Sequence, residues 1–149
     1  MDHTVLSPKR LAALSAIFLT SLTAFAQGSF WSENTGRRSD SPTIEVSQFK
    51  AYNLDVQSLE QWLSRAPQGA ATEARNSSLT LTLPMPDGTM EEFTVVNSPI
   101  MAPALARKFP EIQVFAGQGV THPEFTGRFD LTPQGFHAMI LAEGETVYI

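Results

Sequence analysis

The chain has 149 residues, enough for one domain with a sizeable core, and a net charge of −5 from 10 basic and 15 acidic side chains. That balance lacks the clustered Lys and Arg that a nucleic-acid surface requires. With no cysteine, disulfide stapling, thiolate metal ligands and a cysteine nucleophile are all excluded.

Residues 1–26 read as a cleavable secretory signal peptide. A basic stretch closing on Lys9 and Arg10 precedes an apolar, uncharged run from Leu11 to Phe25. Ala24 and Ala26 flank Phe25 in the small-x-small pattern that signal peptidase accepts, so the mature chain is expected to start at Gln27. The run is shorter than the roughly 20 residues of a spanning helix, and no second long run follows. The expectation is a secreted, extracellular protein, periplasmic in transit, with no membrane attachment after signal removal.

Residues 27–42 are polar and poor in aliphatics, and read as a flexible linker. Within it, the adjacent Phe30 and Trp31 either dock on the domain or stand exposed as a partner contact, and Arg37-Arg38 reads as solvated loop charge. Residues 43–149 form the domain, β-rich by its patterning. Residues 44–54 read as extended. Asp55 then caps a helix in which Val56, Leu59, Trp62 and Leu63 share one apolar face, with Ser58 and Gln61 in capping-box spacing and Ala66-Pro67 as the stop. The small, polar residues 68–77 read as a loop, and Asn76-Ser77-Ser78 is a formal glycosylation sequon.

Leu79, Leu81 and Leu83 alternate with Ser78, Thr80 and Thr82, and Pro86-Asp87-Gly88 precedes a second strand over residues 90–96. A three-residue loop with Gly88 left-handed pairs Met85 with Thr89, Leu81 with Phe93, Thr80 with Thr94 and Leu79 with Val95, so like faces like. Asn97-Ser98-Pro99 ends the strand. Pro103 opens a short helix over residues 104–108, with Arg107 and Lys108 at its negative end. Ile112, Val114 and Ala116 alternate as a further strand that Gly117 and Gly119 loosen. A second hairpin turns at Pro133-Gln134-Gly135. The same loop length pairs Phe129 with Met139 and Leu131 with His137, giving two apolar faces, both expected to be covered. Glu143-Gly144-Glu145 turns into a last strand. The apolar ending Val147-Tyr148-Ile149 leads to the expectation that the natural polypeptide continues or that this reading frame is a fragment. The fold class is therefore α+β: mainly antiparallel β-hairpins with two short helices, packed as a twisted sheet against the helix carrying Leu59, Trp62 and Leu63.

No residues declare a reaction. His3 leaves with the signal, and His122 and His137 match no zinc spacing, although either can pair with a carboxylate. No nucleophile elbow is present. Arg128 and Asp130 lie two apart and can pair with each other. Gly117-Gln118-Gly119 lacks the rest of a dinucleotide loop, and Glu91-Glu92 reads as solvated charge. No catalytic residue, metal ligand or cofactor is named.

Several ordered motifs resemble one family: residues 81–88 (Leu-Thr-Leu-Pro-Met-Pro-Asp-Gly), Asn97-Ser98-Pro99-Ile100-Met101, Phe109-Pro110-Glu111-Ile112, Gly117-Gln118-Gly119, residues 128–140 and Thr146-Val147-Tyr148-Ile149. Together they are similar to the amino-terminal pro-region of secreted bacterial reprolysin-like zinc metalloproteases. There, such a region follows the signal peptide and precedes the catalytic domain. The zinc-binding H-E-x-x-H helix is not in this chain, so the resemblance implies a non-catalytic pro-domain and not a peptidase. Its implied partner is the cognate metalloprotease domain, in cis or in trans, whose folding or latency it assists. Latency would then require a strand or loop in the substrate cleft, through edge-strand addition, with His122 and Asp130 as candidate contacts to the metal. The alternative is a stand-alone exported β-rich module that binds a protein or glycan partner through Phe30 and Trp31.

Overall fold

The computed structural model describes residues 29–36 and 49–149. The signal-peptide reading with Ala24, Ala26 and Gln27, the Arg37-Arg38 pair, and Ile44 and Val46 lie outside the described residues. In chain order the elements are β1 (Trp31–Glu33), β2 (Tyr52–Leu54), α1 (Val56–Leu63), a 3-10 helix (Ala71–Asn76), β3 (Thr80–Pro84), β4 (Met90–Asn97), α2 (Pro103–Lys108), β5 (Gln113–Gly119), β6 (Thr126–Thr132), β7 (Gly135–Ala142) and β8 (Glu145–Tyr148). The architecture is mainly antiparallel β. Strands β3 to β8 form one six-stranded sheet in sequential order, and β1 and β2 form a separate pair. Residues 68–77, expected to be a loop, contain the 3-10 helix.

The first hairpin has the expected register, with Thr80 opposite Thr94 and Leu81 opposite Phe93. Gly88 takes φ +92°, and the Met85 N–H donates to Thr89 O at 2.9 Å. Turn chemistry and hydrophobic alternation agree here, so a single pairing satisfies both. Asp87 rigidifies the turn by accepting the Thr89 N–H and hydroxyl at 2.9 and 2.7 Å. These bonds hold its carboxyl below the usual range, the backbone one contributing most. Asp55 does likewise for α1, accepting from the Ser58 hydroxyl and N–H at 2.7 and 3.1 Å.

The second hairpin differs from expectation by one residue. Thr132 pairs with Gly135, Leu131 with Phe136, Phe129 with Ala138 and Arg128 with Met139, so the loop holds two residues, not three. The slipped pairing would have set Arg128 and Asp130 beside Phe136 and Ile140. The observed one gathers Phe129, Leu131, Phe136, Ala138 and Ile140 in the core and turns Arg128, Asp130, His137, Met139 and Leu141 outward. Burying a Phe or Ile contributes about 1.5–3 kcal/mol, which outweighs a preference for one loop length. The hairpin is therefore not covered on both sides: Met139 and Leu141 are 38% and 49% exposed.

The further strand expected around Val114 and Ala116 is β5, and its core-facing set is not the alternating Ile112, Val114 and Ala116. Phe115 is fully buried in the main core, whereas Ala116 lies on the other side beneath Ala74 of the 3-10 helix, beside Val96. Gly117 and Gly119 continue the strand. Gly117 pairs with Gly127 of β6, and the Phe129 ring lies across both. A β-carbon on Gly117 or Gly127 would come within 2.5 or 2.4 Å of that ring. Phe129 also meets Phe93 edge-on at 5.7 Å. With this space filled by one ring, the sheet curls until Leu81 and Leu83 of β3 share a core with Val147 of β8. Leu59 and Leu63 of α1 close that core, as the helical stripe predicts.

The stretch read as a linker contributes β1. Trp31 pairs with Leu54 and is buried against Phe136, with ring centroids 5.9 Å apart. Its indole N–H donates to Thr82 O at 2.9 Å, and that of Trp62 donates to Thr80 O at 2.7 Å. In the β3–β4 ladder the peptide groups of Thr80 and Thr82 point away from β4. The two indoles therefore occupy the outer edge of β3, which would otherwise invite pairing.

Two stability outcomes follow from this packing. Gly127→Ala, driven into the Phe129 ring, is expected to cost about 1–3 kcal/mol in denaturant unfolding; an unchanged midpoint would contradict the close approach. Trp31→Phe keeps an aromatic ring but removes the donor to Thr82, and is expected to cost about 1 kcal/mol in the same measurement.

Candidate functional site

The outward face of the sheet is built in cross-strand rows. Ala116, Arg128, Met139 and Tyr148 align across β5 to β8, and Gln118, Thr126, Leu141 and Thr146 form the next row. The 3-10 helix docks over β4 and β5 through Ala71 and Ala74, residues small enough to bring its backbone close to Val96 and Ala116. Beyond the helix the sheet is uncovered. A groove of about 390 Å³ runs between Ala71, Thr72 and Arg75 on one side and Arg128, Met139 and Leu141 on the other. Its base is the backbone of Gly117 and Gly127, which carry no side chain on either face. Arg128 Nη1 lies 3.5 Å from the Ser98 hydroxyl. Among the described residues no carboxylate pairs with Arg75 or Arg128.

Asp130 stands on the same face but does not meet Arg128. Its carboxylate is 2.8 Å from Nδ1 of His137, directly across the strand pair, and both side chains are about half exposed. In such a setting an ion pair contributes little to stability.

The second cluster lies at the β5–β6 connection. Glu91 faces the core side of β4 and is only 7% exposed, which corrects its reading as solvated charge. It accepts the backbone N–H of His122 at 3.3 Å, and its other oxygen lies 3.0 Å from His122 Nδ1. The His122 ring stacks on Phe125 at 4.8 Å. The Gln118 side-chain amide donates to the carbonyls of Pro123 and Phe125. Gly119 has no room for a β-carbon, which would sit 2.2 Å from His122 O. These contacts fix the path of residues 120–125, so Glu91 and His122 act as a loop anchor.

His122 and Asp130 are thus not brought together: each has its own partner, on different sides of the sheet. Phe30 and Trp31 do not form a free arm. Trp31 is buried, and Phe30 packs against Trp62 with centroids 6.2 Å apart. Sequence reasoning missed Arg75, Met139, Leu141 and the buried Glu91. The last had a signal, since the first hairpin's register sets Glu91 opposite Leu83, on the apolar face. Among the described residues, no group of three or more His, Asp or Glu could hold a metal ion, and no helix is long and apolar enough to cross a membrane.

The two edges of the sheet differ. In the β7–β8 ladder Ile149 exchanges both backbone bonds with Ala138. By alternation the peptide groups of Thr146 and Tyr148 point away from β7. No described strand lies beyond them. Tyr148 is 74% exposed and continues the apolar row of Met139. The chemistry this surface offers is backbone pairing along β8 and apolar and cationic contact in the groove. No protein-family model, curated protein or solved structure matches the chain.

If Glu91 and His122 anchor the connection, Glu91→Ala speeds amide exchange in residues 120–125 and leaves the β3–β4 hairpin protected. Unchanged exchange in that loop would remove the anchor assignment.

Proposed function

We propose that the chain is a non-catalytic, pro-domain-like module of a secreted reprolysin-like metalloprotease. It assists the folding or latency of the protease domain, in cis or in trans. The ordered motifs of the sequence support this reading, and so does their position. Residues 81–88 cover most of β3 and the turn of the first hairpin, and residues 128–140 most of both strands of the second, so the resemblance falls on the framework of the sheet.

The observation that carries the reading is the unpaired edge of β8. An edge with two outward peptide groups, no proline or lysine in the strand and, among the described residues, no strand beyond it is suited to accept an added strand. A partner seated there gains backbone hydrogen bonds that are largely indifferent to its sequence, as a module that guides or blocks a protease domain requires. The export that this role demands rests on the basic flank, apolar run and Ala24/Ala26 site of residues 1–26.

The test is to produce a reprolysin-like protease domain from the same source with this chain, without it, and with its Tyr148→Pro variant. Proline at that position removes an outward N–H and none of the bonds to β7. The chain is expected to change the yield or the activity of the protease, and Tyr148→Pro to abolish the change. Equal yield and equal activity in all three arms would refute the proposal.

A further inference from the structure

We infer that the groove between the 3-10 helix and the outward face of β6 and β7 binds an acidic, extended segment of a partner polypeptide, with its carboxylates on Arg75 and Arg128 and its apolar side chains on Met139 and Leu141. This assignment does not depend on the protease reading, because it rests on the charge and shape of the groove alone.

The two arginines come from different elements, Arg75 from the 3-10 helix and Arg128 from β6, and they line one groove. Neither guanidinium is neutralised by an ion pair among the described residues. The nearest acid along β6, Asp130, is occupied by His137, and Glu91 is occupied by His122. Arg128 has only its long contact to the neutral Ser98 hydroxyl. A guanidinium offers a planar fork of donors that a carboxylate fills with two charge-assisted bonds. The groove therefore holds two carboxylate receptors that the described part of the chain does not satisfy.

Between them the surface is apolar. Met139 and Leu141, two residues apart on β7, are 38% and 49% exposed, and that spacing matches alternate side chains of an extended peptide. Tyr148 prolongs the same row to the open edge of β8, so the complementary ligand is long rather than a small anion. A nucleic acid is disfavoured by the net charge of −5, which opposes a phosphate backbone along its length. The same field opposes acidic partners in general. Binding must be won locally by the two guanidiniums, which makes them decisive for selectivity.

The experiment uses a dye-labelled peptide of alternating Glu and Leu, with Lys/Leu and Glu/Ser peptides of equal length as comparators. Each is titrated with the purified chain and read by fluorescence anisotropy. The Glu/Leu peptide is expected to bind more tightly than either comparator and to weaken with salt. Arg75→Glu and Arg128→Glu are each expected to lower its affinity about tenfold. The doubly reversed variant should prefer the Lys/Leu peptide. Arg107→Glu, on α2, should leave affinity unchanged. Both groove arginines are exposed, and circular dichroism verifies that each variant is folded. Failure of the wild-type chain to bind the Glu/Leu peptide, equal binding of the Lys/Leu peptide, or indifference to both arginine changes would overturn the assignment. None of these results bears on whether a protease needs the chain.

Discussion

One phenylalanine ring takes the place of two absent side chains at the centre of the sheet. Phe129 lies over Gly117 and Gly127, paired across β5 and β6, at distances that no β-carbon could share. Glycine in a strand ordinarily weakens it, through lost packing and a larger entropy cost. Here the ring restores the packing, and the bare backbone gives the sheet freedom to bend. The curl that follows brings the first and last strands of the meander to a common core and leaves space only for α1 and the Trp31 strand to close it. On the reverse side the backbone of the same pair lines the groove.

The distribution of polar groups follows from that curl. Among the described residues the one buried charged side chain is Glu91, on the core side of the sheet, and it is satisfied by the backbone and ring of His122. The convex side collects Arg128, Asp130 and His137, together with the apolar groups for which the core has no room. The loop anchor and the groove thus divide the work between the two faces. One holds the β5–β6 connection in place, and the other leaves Arg128, Met139 and Leu141 exposed in the groove.

What could be read from the sequence divides along the same lines. The first hairpin was legible because Pro86-Asp87-Gly88 and the Leu79/Leu81/Leu83 alternation specify the same register independently. Helix α1 was legible from the Asp55 cap and its Leu59/Leu63 stripe. The second hairpin was not, because turn chemistry alone left two registers open, and the choice depended on which face the rest of the sheet would cover. Strand β5 was legible as a strand, but its core-facing side was not, for a related reason. Its core-facing residues are Phe115, Gly117 and Gly119, and glycine leaves no mark in a hydrophobic pattern, so the eye follows Ile112, Val114 and Ala116 instead. The groove was invisible, because Arg75 and Arg128 are 53 positions apart in the chain and meet only once Ala71 and Ala74 have seated the 3-10 helix.

The indole groups on β3 have a consequence for stoichiometry. A meander with two bare margins can recruit copies of itself at both, and open-ended fibres are the usual result. With Trp31 and Trp62 bonded to the carbonyls of Thr80 and Thr82, one margin is sealed. Among the described residues, β8 is then the margin left open to strand addition, and continuous stacking of copies through both margins is closed off.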